Sequence, residues 1–175
     1  MSRARKIGLG VGGGIIVLLL VLVLVIYNQT RRPFPKVRGR VDVVGLQQPV
    51  DIYRDEYGIP HIYAQNEHDL YFAQGYVHAQ DRFWQMEWWR HVGQGRISEI
   101  AGSGTVEFDV FIRTMGWNRL AEKTLAYYEQ EEPEYVALLQ AYSDGVNAYI
   151  EANRKSLSLN ITILGLVNDK WEIEP

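Results

Sequence analysis

Between Ile7 and Tyr27 the chain runs for 21 residues without a charge, and the stretch from Ile15 to Tyr27 is aliphatic up to its closing tyrosine. At ~1.5 Å rise per residue a helix over this run is about 30 Å long, the thickness of a bilayer's hydrocarbon core. A small domain cannot fold around such a rod as well as around its own core. The run therefore reads as a membrane-spanning segment that divides the chain into a basic leader (1–6), a span (7–27), a juxtamembrane linker (28–40) and a globular part (41–175).

The rival reading is a cleaved signal peptide, because Arg3, Arg5 and Lys6 form a basic leader ahead of the apolar run. A cleavage site calls for small residues, whereas the exit reads Val25-Ile26-Tyr27-Asn28-Gln29-Thr30-Arg31-Arg32. An uncleaved anchor fits better. The positive-inside tendency, taken alone, puts the carboxyl side in the cytoplasm, since Arg31, Arg32, Lys36, Arg38 and Arg40 outnumber the basic residues in front.

The net charge of −3 conceals an asymmetry, because the first forty residues carry basic groups and no acid, leaving the remainder acidic. That remainder argues against a nucleic-acid groove. The basic stretch beside the span suits anionic headgroups. With no cysteine, disulfides and thiolate metal sites are excluded, and the compartment stays open.

Pro33 and Pro35 among basic residues describe an extended tether. Val41 and Val43 alternate as a first strand, with a second around Val50 and Ile52 and a third around Ile62. Asp55-Glu56-Tyr57-Gly58 between the last two is a turn in which Gly58 takes positive φ, and Pro60 restricts Ile59 to extended geometry. Asn66 caps a long helix whose first turn carries acids. Leu70, Ala73, Val77, Trp84 and Trp88 form one stripe of it, and Phe72, Tyr76 and Phe83 an adjacent one, so it is buried between layers. Gly93 and Gly95 end it, Ile97 to Ala101 is a helical turn, and Gly102-Ser103-Gly104 is a loop. A second helix is expected over Val106 to about Tyr128. A third starts at Glu132-Pro133 and buries Leu138, Leu139, Tyr142, Val146, Tyr149 and Ile150, with a loop over Asn153 to Asn160.

Most motifs that suggest chemistry have a simpler account. Gly8-x-Gly10-x-x-Gly13 matches a dinucleotide fingerprint on paper, but it lacks the preceding strand and reads as small-residue packing in a spanning helix. Ser2 sits away from any folded pocket, and Ser103 lacks nucleophile-elbow spacing. His61, His68, His78 and His91 show no metal-binding spacing, and His78 with Asp81 shares a helix face without a second histidine. Asp81, Glu87, Glu107 and Asp109 are ordinary in number for general acids. Asp81 beside Arg82, and Glu87 three before Arg90, read as ion pairs. Phe83, Trp84, Trp88 and Trp89 read as core, with one ring able to border an apolar acyl pocket. Asn28 and Asn160 begin glycosylation sequons that carry no weight without a suitable host.

The run R-D-x-x-G-I-P-H-I-Y-A (Arg54 to Ala64) followed by A-Q-G-Y-V-H-A-Q-D-R-x-W-Q-M-E (Ala73 to Glu87) resembles the amino-terminal part of penicillin acylases, in the N-terminal-nucleophile hydrolases. Further matches are G-R-I-S-E-I-A-G (Gly95 to Gly102), F-D-x-F-I-R (Phe108 to Arg113), A-Y-x-D-G-V-N-A-Y-I (Ala141 to Ile150) and K-W-E-I-E-P (Lys170 to Pro175). The resemblance covers nearly everything from Val41 onward. It implies an α+β chain: a transmembrane helix, short β-hairpin strands and the mainly helical small-subunit segment of an αββα fold, truncated inside a domain.

By the same resemblance the parent is a precursor that cuts itself and exposes a serine at the amino terminus of a larger, later subunit. The serine's own α-amine would act as base, since it titrates near ~8 rather than near ~10 as a lysine does. Oxyanion donors would stabilise the tetrahedral intermediate as a linear amide opens. The nucleophile, those donors, the Arg-Phe gate and the ligands of the calcium expected for the family would lie beyond Pro175. No catalytic, cofactor-binding or metal-binding residue is therefore assigned, and the segment alone is expected to be inert. The implied partners are the larger subunit, the bilayer and a small acylated amine; the implied setting is antibiotic metabolism, with the amino terminus cytoplasmic and the bulk outside. Two alternatives stay open: an acyl-homoserine lactone acylase, and a non-enzymatic single-pass protein with a helical interaction domain. Sequencing the amino terminus of protein extracted from membranes should return Met1 or Ser2; a start beyond Tyr27 would identify a cleaved leader instead.

Overall fold

The computed structural model describes residues 3–31, 34–166 and 171. Ser2 and the closing Lys170–Pro175 match, Trp171 apart, lie outside the described residues. The chain separates into two compact units, 1–34 and 35–175.

The first unit is one helix, α1 (Arg3–Arg31), which continues the apolar run at both ends. Within it Gly13–Arg31 has a mean hydropathy of 2.2 and none of it is buried. Length and composition fit a membrane span or a signal sequence alike. Near its end the Arg31 guanidinium lies 5.4 Å from the Tyr27 ring centroid and 5.3 Å from that of Phe34.

The second unit is mainly helical with one antiparallel hairpin. Strands β1 (Asp51–Arg54) and β2 (Pro60–Tyr63) pair with Ile52 opposite Ile62 and Arg54 opposite Pro60. The expected strand at Val41 and Val43 does not form. Its alternation has no neighbouring strand to satisfy its backbone, and the chain turns at Gly45, with φ of 114°. In the β1–β2 turn Gly58 has φ of 78°, and the Asp55 carboxylate accepts from the Tyr57 and Ile59 amides, both at 2.9 Å.

Helix α2 (Glu67–Gly93) starts where Asn66 accepts from the Asp69 amide at 2.7 Å, and it bends at Arg82. Then follow α3 (Ser98–Ala101), a 3₁₀ turn at Ser103–Thr105 where a plain loop was expected, α4 (Val106–Met115), α5 (Trp117–Glu131), α6 (Pro133–Asn153) and α7 (Leu159–Ile163). The single helix expected from Val106 to Tyr128 is thus two. Gly116 sits at φ of 76° and donates back to the Ile112 and Arg113 carbonyls, a left-handed cap that ends α4. The loop expected over Asn153 to Asn160 is cut short because Leu157 and Ile161 turn into the core.

The core lies where α2 crosses α6: Ala79 and Phe83 meet Val146, Tyr149 and Ile150, closed below by Leu157 and Ile161. Both stripes expected on α2 are buried in part, one at Phe72 and Phe83 and the other at Ala73 and Val77, while Leu70 is 39% exposed and Trp88 half-buried. On α6, Leu139 is 47% exposed, contrary to expectation. It precedes the crossing.

Two glycines set that crossing. A Cβ on Gly75 would fall on the Tyr142 carbonyl, and one on Gly145 on the Phe72 carbonyl. Backbone cannot give way as a side-chain tip can. Gly75→Ala and Gly145→Ala should each lower stability in urea unfolding by roughly 1–3 kcal/mol or more. Gly93→Ala, with open space around it, should be neutral or stabilising, and equal losses at all three positions would refute the close-crossing account.

Candidate functional site

The residues able to do chemistry gather around α2, and each buried carboxylate is already engaged. Asp69 is fully buried and accepts from the amides of Gln47 (2.8 Å) and Gln48 (2.9 Å) and from the Asn66 side chain (2.8 Å), with the His68 ring at 3.1 Å. It pins the segment before β1 onto α2. Burial by itself raises the Asp69 pKa, but the Gln47 amide, the side chains of Asn66 and His68 and the Gln48 amide outweigh it and hold the group below its ordinary value. Asp109 plays the same part on α4, accepting from the Ile97 and Ser98 amides at 2.8 and 2.9 Å. Its pKa is likewise lowered: burial opposes, and hydrogen bonds from Ser98 and Ile97, with the Arg113 charge, prevail. Arg113 also donates to the Gly95 carbonyl at 2.9 Å, which locks the turn after α2 onto α4.

Glu87 is the third buried carboxylate. Arg90 reaches it at 3.0 Å, as the helical spacing predicts, and the Trp171 indole N–H donates to it at 2.6 Å across 84 positions of sequence. Arg90 also lies 5.7 Å from the Trp171 ring centroid. The Asn147 side chain holds the Trp171 backbone from both sides, donating to its carbonyl at 2.6 Å and accepting its amide at 2.9 Å. The side chains of Glu87 and Asn147, on two helices, thus fix one point of the segment after α7.

Asp81 does not pair with its neighbour Arg82. It takes a two-pronged bond from Arg54 at 2.8 and 2.9 Å, and Arg54 also donates to Gln80 at 2.7 Å and to the Gly58 carbonyl at 2.9 Å. The correction is geometric: α2 turns this carboxylate toward the hairpin, where the guanidinium matches it in plane. The hairpin is thereby fastened to α2.

The histidines are dispersed: His61 meets Asp55 at 3.2 Å, His68 meets Asp69, His78 meets the Tyr142 hydroxyl at 2.9 Å, and buried His91 meets the Glu87 carbonyl at 2.8 Å. Among the described residues no three His, Cys, Asp or Glu side chains converge as a metal site. Glu107 is exposed on α4, and Ser103 is exposed in the 3₁₀ turn. Of the aromatics, Phe83 is core, Trp84 packs on it and tilts against Trp88 at 6.0 Å, and Trp89 is 61% exposed.

A cleft of ≈ 690 Å³ opens between the segment 36–54 and α2, floored by Phe72, Ala73 and Val77 and edged by Lys36, Arg38 and Arg54. None of its lining residues is a serine, threonine, cysteine or histidine. It offers a surface to fill, and it holds no nucleophile with a base. Sequence reasoning missed the Asp69 clamp, the Arg54–Asp81 pair and the Asn147–Trp171 clamp, since each joins residues distant in sequence; Asp69, Arg54 and Trp171 lie within or beside the helix start and the motifs that carry the resemblance.

A profile of the penicillin amidase family matches residues 49–174. The chain is 38% identical over 138 residues to the penicillin acylase 2 proenzyme of Pseudomonas sp. (strain SE83), covering 79% of this chain and 17% of that protein. It is 36% identical over 140 residues to the acyl-homoserine lactone acylase QuiP of Pseudomonas aeruginosa, covering 80% and 16%. Among solved structures a thermostable penicillin G acylase from Alcaligenes faecalis superposes with a TM-score of 0.58 at 26% identity, covering 73% of this chain and 66% of that one. The chain spans less than a fifth of the length of the curated relatives it matches.

Because Asp69 and Asp109 have lowered pKa values in the folded state, their contribution is complete above the unfolded value near ~3.9 and is lost as pH falls through the folded values. In urea unfolding from pH 7 to pH 2, the Asp69→Asn and Asp109→Asn variants should each be weaker at pH 7 by about 1–3 kcal/mol, as an amide N–H₂ turned toward backbone N–H groups leaves donors unmet. Their acid dependence should be shallower, and an unchanged slope would refute this role for the carboxylates.

Proposed function

The chain belongs to the penicillin amidase family, and we propose that it is the amino-terminal part of a membrane-anchored amidohydrolase that opens a linear amide between an acyl group and an amine. The observation that carries this reading is the profile match, which runs through nearly the whole of the second unit. The hydrogen bonding supports a scaffolding part for this segment. Its buried carboxylates are bound to backbone amides, to an arginine and to an indole, so they hold the scaffold rather than carry protons.

In the proposed whole protein the nucleophile is a serine at the amino terminus of a later, larger subunit, freed when the precursor cuts itself. Its α-amine takes the hydroxyl proton as the hydroxyl attacks the amide carbon, an acyl-enzyme forms, the amine leaves, and water releases the acid. Calcium enters this proposal only as the family resemblance implies it, with ligands in the later part of the protein. Anchoring rests on α1, whose apolar stretch is wholly unburied. The proposed topology places the amino terminus in the cytoplasm and the catalytic bulk outside.

A second substrate class is supported by similarity of the same order to an acyl-homoserine lactone acylase as to a penicillin acylase proenzyme. The whole precursor, expressed from its gene, should hydrolyse a phenylacetyl or a long-chain acyl chromogenic amide, and the preferred acyl group separates the two classes. Residues 1–175 alone should show no turnover. A whole precursor inactive on every acyl amide offered would count against the enzyme and for a non-catalytic membrane protein.

A further inference from the structure

Residues 36–40 continue the chain beyond the first unit with Lys36, Arg38 and Arg40 all exposed and in no helix or strand. Arg40 pairs with Asp42 at 3.2 Å, but the side chains of that pair are 88% and 90% exposed. A pair so open to water holds its charges weakly. The Lys36 carbonyl accepts from Gln80 of α2 at 3.3 Å, so this segment rests on the globular unit. Eight of the 18 lysines and arginines lie in the first forty residues, and all 21 acidic residues lie after them. A negatively charged surface therefore repels most of the second unit and attracts this segment.

From Arg31 to Lys36 is five residues, at most ~18 Å of extended backbone. Tyr27, at the end of the aliphatic run, is the amphipathic ring that prefers the headgroup level, and Arg31 packs near both it and Phe34.

We propose that Lys36, Arg38 and Arg40 form a docking surface for anionic phospholipid headgroups, which holds the globular unit against the bilayer by this edge. The inference rests on α1 being an uncleaved anchor. Basic groups near an anionic surface attract it additively, and salt screens the attraction within about 10 Å at ~0.1 M. Arg40 contributes because its aspartate neighbour competes poorly with a charged surface.

The test uses the full chain reconstituted in sealed vesicles of phosphatidylcholine, with or without phosphatidylglycerol. Alkaline carbonate extraction comes first: a chain stripped from both vesicles overturns the anchor and this proposal with it. For a retained chain, externally added trypsin is followed by mass spectrometry of fragments beginning at Val37, Gly39 and Val41. Phosphatidylglycerol should slow these cleavages at least tenfold, and ~0.5 M salt should abolish the protection. In a Lys36→Gln, Arg38→Gln variant, cleavage after Arg40 should lose most of its protection. Equal rates in the two bilayers, or protection that survives both high salt and the double substitution, would overturn the headgroup site while leaving the anchor standing.

Discussion

The second unit depends on two helices touching through their backbones. Gly75 on α2 lies against the Tyr142 carbonyl of α6, and Gly145 on α6 lies against the Phe72 carbonyl of α2, so the contact is reciprocal. A side chain at either position would push the axes apart. Phe83, Val146, Tyr149 and Ile150 interdigitate only because the axes come this near, and such packing falls off steeply with a gap of even half an ångström. Glycine in a helix has an entropic cost, which the close contact offsets.

From that crossing the rest is fastened by polar groups whose burial is compensated. Asp69 holds the segment before the hairpin, Arg54 binds the hairpin to Asp81, Asp109 holds the start of α3, and Glu87 with Asn147 holds Trp171. Each joins two elements, and each carboxylate meets donors fixed by backbone or by a planar guanidinium. Such groups are poorly placed for proton transfer, since protonation would release the element they hold. Polar groups engaged in this way tie the elements of the second unit to one another.

Much of this was legible from residue order. Asn66 as cap, Gly58 and Pro60 as turn, Pro133 as a helix start and the Glu87–Arg90 pair act within a few positions of themselves, where propensity and spacing decide. The errors have separate physical sources. Val41 and Val43 alternate as a strand does, but a strand exists only with a partner to bond. Asp81 stands next to Arg82, yet the bond goes to Arg54, because the helix turns the two neighbours apart. Gly116 was the visible sign that the helix from Val106 would break, and a continuous apolar pattern on both sides concealed it.

The family, the apolar helix and the charge division were determined by the sequence alone, because each is a property of residue identity and short-range order. Tertiary structure decided which stripe of α2 faces α6, where Asp69, Asp81, Asp109 and Glu87 find their donors, and that Trp171 returns to a helix 84 positions earlier. Those choices depend on axes brought within contact of one another. Periodicity along one helix says which faces are apolar; only the closeness that Gly75 and Gly145 permit says which of them is covered.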